Sequence, residues 1–181
     1  MSMSTRSSQK GVGMMEVLIA LVVLAIGVLG YVMLQVRAME ATAEGTQRIQ
    51  AINIARDLAE RVRVNRSGWT FAASPKSYFT EFSTTALQAD RTKDCAALTA
   101  ECSASELADY DVNELYNYSL QYGMNLGMAE CPGNTAANNK RYCIFVAWGD
   151  TVASNSSTDT NSCVNGNAYR ASSTCVMMEV Y

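Results

Sequence analysis

Two kinds of hydrophobic patterning meet in the first third of the chain. Val17 to Leu34, VLIALVVLAIGVLGYVML, is eighteen residues long and carries no charge. At about 1.5 Å per residue, such a run crosses a ~30 Å hydrocarbon layer as a helix. Beyond it the apolar positions narrow to one face. Ala51, Ile52, Ile54, Ala55, Leu58, Ala59 and Val62 recur at steps of three and four, while Asn53, Arg56, Asp57, Glu60, Arg61 and Arg63 fill the other side. No proline falls between Val12 and Arg66, so the pattern predicts one helix about 80 Å long. Residues 12–36 are its apolar half and residues 37–66 its one-sided half. Asn65 and the Ser67-Gly68 pair supply the stop. Gly27 and Gly30 interrupt the apolar half three residues apart, which is not the four-residue spacing of the small-residue dimer motif.

The patterning of residues 67–181 is weaker and points to a small α+β head. Trp69 to Asp94 is polar and aromatic, with Ser74-Pro75 inside it, and is expected to connect rather than to fill a core. Ser103 followed by Glu106 has the capping-box spacing. Leu107, Tyr110, Leu115 (or Glu114 on the same turn), Tyr118 and Tyr122 then follow at roughly helical steps, although Tyr116–Tyr122 also alternates as a strand would. Tyr142–Trp148 has the β-branched and aromatic content of a buried strand. Pro132–Lys140 is its hairpin loop, Gly127–Cys131 its partner strand and Cys175–Tyr181 a last strand. Thr151–Ser173, rich in Ser, Asn, Thr and Gly, is expected to be a long loop. The fold class is therefore α+β: a long helix laid on a small antiparallel sheet.

Composition narrows the chemistry. The chain of 181 residues has no histidine, which removes the usual general base near neutral pH and the His-dependent triads and zinc sites. No glycine-rich phosphate loop is present. The carboxylate pairs Asp57/Glu60 and Asp109/Asp111 lie on helix faces expected to be solvated. Asp150 with Asp159 is a weaker candidate for calcium. No cofactor and no catalytic residue is expected, and the net charge of −3 gives no basic footprint for nucleic acid.

All six cysteines, Cys95, Cys102, Cys131, Cys143, Cys163 and Cys175, lie in the second half. An even count in a small exported domain points to disulfides, whereas a four-cysteine zinc site would show Cys-x-x-Cys pairs, which are missing. Six cysteines allow fifteen connectivities. The sequential set 95–102, 131–143, 163–175 closes three short loops and is preferred.

The residues before the apolar run are Lys10-Gly11-Val12-Gly13-Met14-Met15-Glu16. A lone carboxylate at the membrane edge costs roughly 2.5 kcal/mol or more, so Glu16 calls for a cationic partner. No Ala-x-Ala-like site follows the run, as an ordinary secretory signal would require. Arg6 and Lys10, with no acid before Glu16, place the preceding residues in the cytoplasm.

Lys10-Gly11, with Glu16 five residues on and an apolar helix after it, resembles the class III leader of the type IV pilins and the pseudopilins of type II secretion. The resemblance implies cleavage between Gly11 and Val12 by a prepilin peptidase, methylation of the new N-terminus at Val12, and pairing of Glu16 with the amine of a neighbouring subunit. Val12 departs from the family's usual phenylalanine or methionine. On this resemblance residues 1–11 are the leader. Their removal takes Arg6 and Lys10 away, and the formal charge from −3 to −5.

Arg48–Arg66, with Ala55-Arg56-Asp57-Leu58-Ala59-Glu60-Arg61-Val62-Arg63-Val64-Asn65-Arg66 at its centre, is similar to the minor pilins of the PilV kind. Weaker similarity continues through 102–111 and 145–150. What this implies is a structural role in initiating type IV pili. The partners would be other minor pilins and the major pilin, with the helix in the inner membrane, the head periplasmic and the final place a pilus at the cell surface. A minor pseudopilin of a type II secretion system is the alternative. A membrane-anchored enzyme lacks its nucleophile motif, and a DNA-uptake pilin its basic strip.

Overall fold

The computed structural model describes residues 11, 13–69, 77–97, 99–134 and 141–180. Helix α1 runs Met14–Val64, within the expected span of 12–66. Its last turn is closed when the Asn65 N–H donates to the Arg61 carbonyl, and a 3₁₀ turn, Arg66–Trp69, follows at once. The chain forms two units, residues 1–44 and 45–181. The first contains α1 up to Glu44, and its large apolar side chains are exposed along the whole run from Met14 to Met39.

The second unit is built in layers. Four helical elements form one side: the rest of α1, then α2 (Tyr78–Glu81), α3 (Thr85–Ala89) and α4 (Ala104–Gln121). Ser77 caps α2 by accepting from the Thr80 N–H, and Thr84 caps α3 by accepting from the Leu87 N–H. Ser103 caps α4, and Glu106 reaches back to the Ser103 N–H at 2.8 Å, completing the expected capping box.

After α4 the chain reverses at Gly123, whose φ of 65° lies in the region glycine enters without penalty. Strand β1 (Met124–Glu130) then pairs antiparallel with β2 (Tyr142–Trp148), Met124 opposite Trp148 and Glu130 opposite Tyr142. Two short strands, β3 (Val152–Asn155) and β4 (Ser162–Asn165), and the two-residue β5 (Ala168–Tyr169) form a second sheet. The last strand, β6 (Cys175–Glu179), returns to the free side of β2, so the first sheet has the order β1-β2-β6.

The first sheet is covered on both faces. Met124, Leu126, Met128, Ile144, Val146 and Trp148 pack with Ile54, Leu58 and Val62 of α1 and with Val112 and Leu115 of α4. Cys143, Phe145 and Ala147 point the other way and pack with Ala153, Cys163 and Val164 of the second sheet. This explains why every residue of β2 is buried. Period two fails as a sequence signal when neither face meets water. Gly127 marks the closest approach of the two sheets, where an added Cβ would lie 1.8 Å from the Ala153 carbonyl oxygen.

Four expectations need correction. The stretch 69–94 is not a mere connection: Tyr78 and Phe82 are core residues, although residues 70–76 lie outside the described ones. The stretch 151–173 is not a loop, since β3, β4 and β5 form there, with β3 and β4 parallel through an irregular register. The buried face of α4 is Ala108, Val112, Leu115 and Ser119. Tyr118 and Tyr122, expected on it, stay exposed and stack edge to face at 5.1 Å. Finally, Asp109 and Asp111 are not solvated, being 2% and 5% exposed. Of the expected loop 132–140, residues 135–140 lie outside the described ones.

Candidate functional site

The first unit presents a helix whose run from Val17 to Leu34 is uncharged and, among the described residues, has nothing packed on it. Its most apolar eighteen-residue window has a mean hydropathy of 2.9, and none of it is buried. An apolar surface of that extent marks a membrane or a protein partner. Glu16 stands in the first turn of α1, and its N–H donates to the Gly13 carbonyl at 3.0 Å. A carboxylate there is favoured by the positive end of the helix dipole. Among the described residues it has no side-chain partner. Gly11 is exposed. Val12 and residues 1–10 lie outside the described ones, so the scissile bond and its leader have no geometry here.

In the second unit the helices are joined by a polar cluster that the sequence did not announce. The Tyr78 hydroxyl donates to Asp111 Oδ2 at 2.5 Å, and Arg61 Nη1 donates to Asp111 Oδ1 at 2.9 Å. Arg61 also reaches Glu114 at 2.7 Å and Asp57, one helical turn back, at 3.0 Å. Asn65 Nδ2 donates to the Ala104 carbonyl at 2.7 Å, tying the end of α1 to the start of α4. Burial opposes the charge of Arg61, yet its bonds to Asp57, Glu114 and Asp111 outweigh that and raise its pKa further. Burial, then the hydrogen bond to Asp111, pushes the Tyr78 phenol well above the ordinary tyrosine value. A charged cluster of this kind fixes which helix faces meet, whereas its net stabilisation is small because desolvation offsets the attraction. The available signal was Arg61 four residues after Asp57, on the polar face beside the apolar stripe.

Asp109 has a different task. Its Oδ2 accepts from the Thr92 N–H at 3.0 Å and from the Thr92 hydroxyl at 2.7 Å, holding the segment before Cys95 against α4. Three disulfides join Cys95 to Cys102, Cys131 to Cys143 and Cys163 to Cys175. The first closes the loop before α4, the second ties the hairpin of β1 and β2, and the third links the two sheets through β4 and β6. Of the candidate calcium pair, Asp159 Oδ1 accepts from the Asn161 N–H at 2.9 Å. No group of three or more metal-ligating side chains occurs among the described residues.

Two family models match the chain. The prokaryotic N-terminal methylation motif matches residues 6–32, which include Gly11, Val12 and Glu16. The model for type IV pilin Tt1218 matches residues 33–113, which include Arg61, Tyr78 and Asp111. No curated protein and no solved structure matches the chain. The two models meet end to end within α1, between residues 32 and 33.

Proposed function

The chain belongs to the type IV pilins, and from that premise we propose that it is a minor pilin of the PilV kind that helps to start pilus assembly. Type IV pilins are structural proteins, processed by a prepilin peptidase and assembled with other pilins. The observation that carries the finer reading is the Arg48–Arg66 segment, because the spacing of Gly11 and Glu16 before an exposed apolar helix is shared with the pseudopilins. That segment supports the pilus over type II secretion. On this reading the peptidase cuts between Gly11 and Val12 and methylates Val12. The helix rests in the inner membrane, with the leader cytoplasmic and the head periplasmic, until the subunit joins the fibre.

Cleavage after Gly11 creates a cation where Glu16 needs one. The new α-amino group is a cation that the Glu16 of an adjacent subunit can pair with in the fibre. In a water-poor setting that attraction far exceeds its value in water. A bilayer alone would favour losing the carboxylate, so retaining it makes sense only if assembly uses it.

The test is Glu16→Gln in piliated cells. Membrane insertion and leader removal should be unchanged, with mass spectrometry finding Val12 at the N-terminus. The amount in sheared pili relative to the inner membrane should fall about tenfold or more, as loss of a desolvated intermolecular charge pair implies. Unchanged incorporation would refute the pairing role. A mature start near residue 38, or an uncut leader, would refute the processing step. Co-purification with secretion pseudopilins, but never with pili, would favour the type II secretion alternative.

A further inference from the structure

The first sheet has an open side at β1. Strand β2 is paired on both edges, by β1 and β6, whereas among the described residues β1 has no strand beyond it in its sheet. The Cys131 N–H donates to the Arg141 carbonyl, and antiparallel pairing alternates. The backbone groups of Asn125, Gly127 and Ala129 therefore point to β2, while those of Leu126, Met128 and Glu130 point away from it. The protein covers one end of that outer row itself, because Asn155 Nδ2 donates to the Glu130 carbonyl at 3.3 Å.

Alongside Leu126 and Met128 runs a groove of about 390 Å³ between α3 on one wall and β3 on the other. Thr84 and Thr85 lie at its rim. Gln88 lines the same groove; it is 3% exposed, and its Oε1 has no hydrogen-bond partner. Its position is fixed by the backbone, since the Gln88 carbonyl accepts from Asn113 Nδ2 at 3.0 Å. A buried amide oxygen without a donor costs about 1–3 kcal/mol, and an edge strand that faces a groove is a template for another strand.

We propose that this groove takes an extended segment of another pilin subunit, which adds a strand to the outer edge of β1 and donates a hydrogen bond to Gln88 Oε1. The partner's chemistry follows from the groups on offer. Alternating N–H and C=O groups along one line are matched by extended main chain, and the walls leave a slot rather than a flat face. An amphipathic helix would leave the row unmet. That the partner is a pilin rests on the function proposed above; the groove, the edge of β1 and the unpartnered Gln88 Oε1 do not.

The test is amide hydrogen exchange, read residue by residue, on the full-length protein in detergent micelles. It is measured alone and after mixing with the major and minor pilins purified from the same cells. Alone, the amides of Leu126 and Met128 should exchange fast; in the complex they should slow by about 100-fold, while Gly127 and Ala129 stay as they were. Thr85→Trp, at the exposed rim, should abolish that slowing with all three disulfides and the circular dichroism unchanged. Failure to form any complex overturns the pilin partner. A complex in which Leu126 and Met128 exchange as before overturns the groove, as does slow exchange of both in the isolated protein. Slowing that persists in Thr85→Trp overturns it too.

Discussion

A hydroxyl and a guanidinium converge on Asp111, which is 5% exposed. Asp111→Asn would keep the shape and remove the charge. Arg61 would still have Asp57 and Glu114, and it is a quarter exposed, so the cost should stay below that of orphaning a fully buried ion. We expect a loss of about 2–3 kcal/mol in urea unfolding. Tyr78 adds a pH dependence. Its folded pKa is raised by burial and then by Asp111, so the native state holds the proton more tightly than the unfolded chain. That contribution is complete below about pH 10 and is lost as the pH rises past it. Tyr78→Phe should cost about 1–2 kcal/mol at pH 7 and flatten the fall in stability above about pH 10, as seen in denaturant titrations across that range. None of this was legible in the sequence. Asp109, Asp111 and Arg61 are residue types that normally sit in water, and only their long-range partners (Thr92, Tyr78 and one another) reveal the burial.

At the scale of elements, local signals fared better than lateral ones. The capping box of α4 could be seen because both its partners lie within one turn. Ser103→Ala should cost about 1 kcal/mol, and the effect should shrink in acid. Bonds from the Ser103 backbone and hydroxyl hold the Glu106 carboxyl below its usual pKa. That contribution is therefore present above the ordinary carboxylate pKa and lost as pH falls through the folded value. Thermal melts at pH 7 and pH 3 check both statements. The buried face of α4 was misplaced because tyrosines at 118 and 122 imitate an apolar stripe, whereas the true stripe runs through Ala108, Val112, Leu115 and Ser119. Strands β3 to β5 escaped notice because each is only two to four residues long, too short to show a period. Gly127 carried no visible signal either, yet Gly127→Ala would drive a methyl group into the Ala153 carbonyl. We expect a loss of about 1–3 kcal/mol or more, visible as a lowered melting temperature of the head.

For the whole molecule, the disulfides matter most where they join separate layers. Cys163–Cys175 spans the two sheets and Cys131–Cys143 spans the hairpin, each with a sequence separation of 12. Closing loops of about that size is worth on the order of 3 kcal/mol, a large share for a domain this small. Cys163→Ser with Cys175→Ser should therefore lower the yield of folded protein more than Cys95→Ser with Cys102→Ser, whose loop lies outside the sheets. Mass spectrometry of trypsin-resistant material from each double variant gives the comparison. A consequence of the doubly covered β2 reaches beyond stability. Tyr-Cys-Ile-Phe-Val-Ala-Trp is seven residues long, uncharged and free of proline, a composition that stacks readily into cross-β fibres when bare. The fold hides both its faces and both its edges, but the second edge is covered only by β6, from Cys175 onward. Until that segment has emerged and docked, β2 is an aggregation hazard in every nascent molecule. A chain that stops before Cys175 should precipitate or be degraded rather than persist as a soluble fragment.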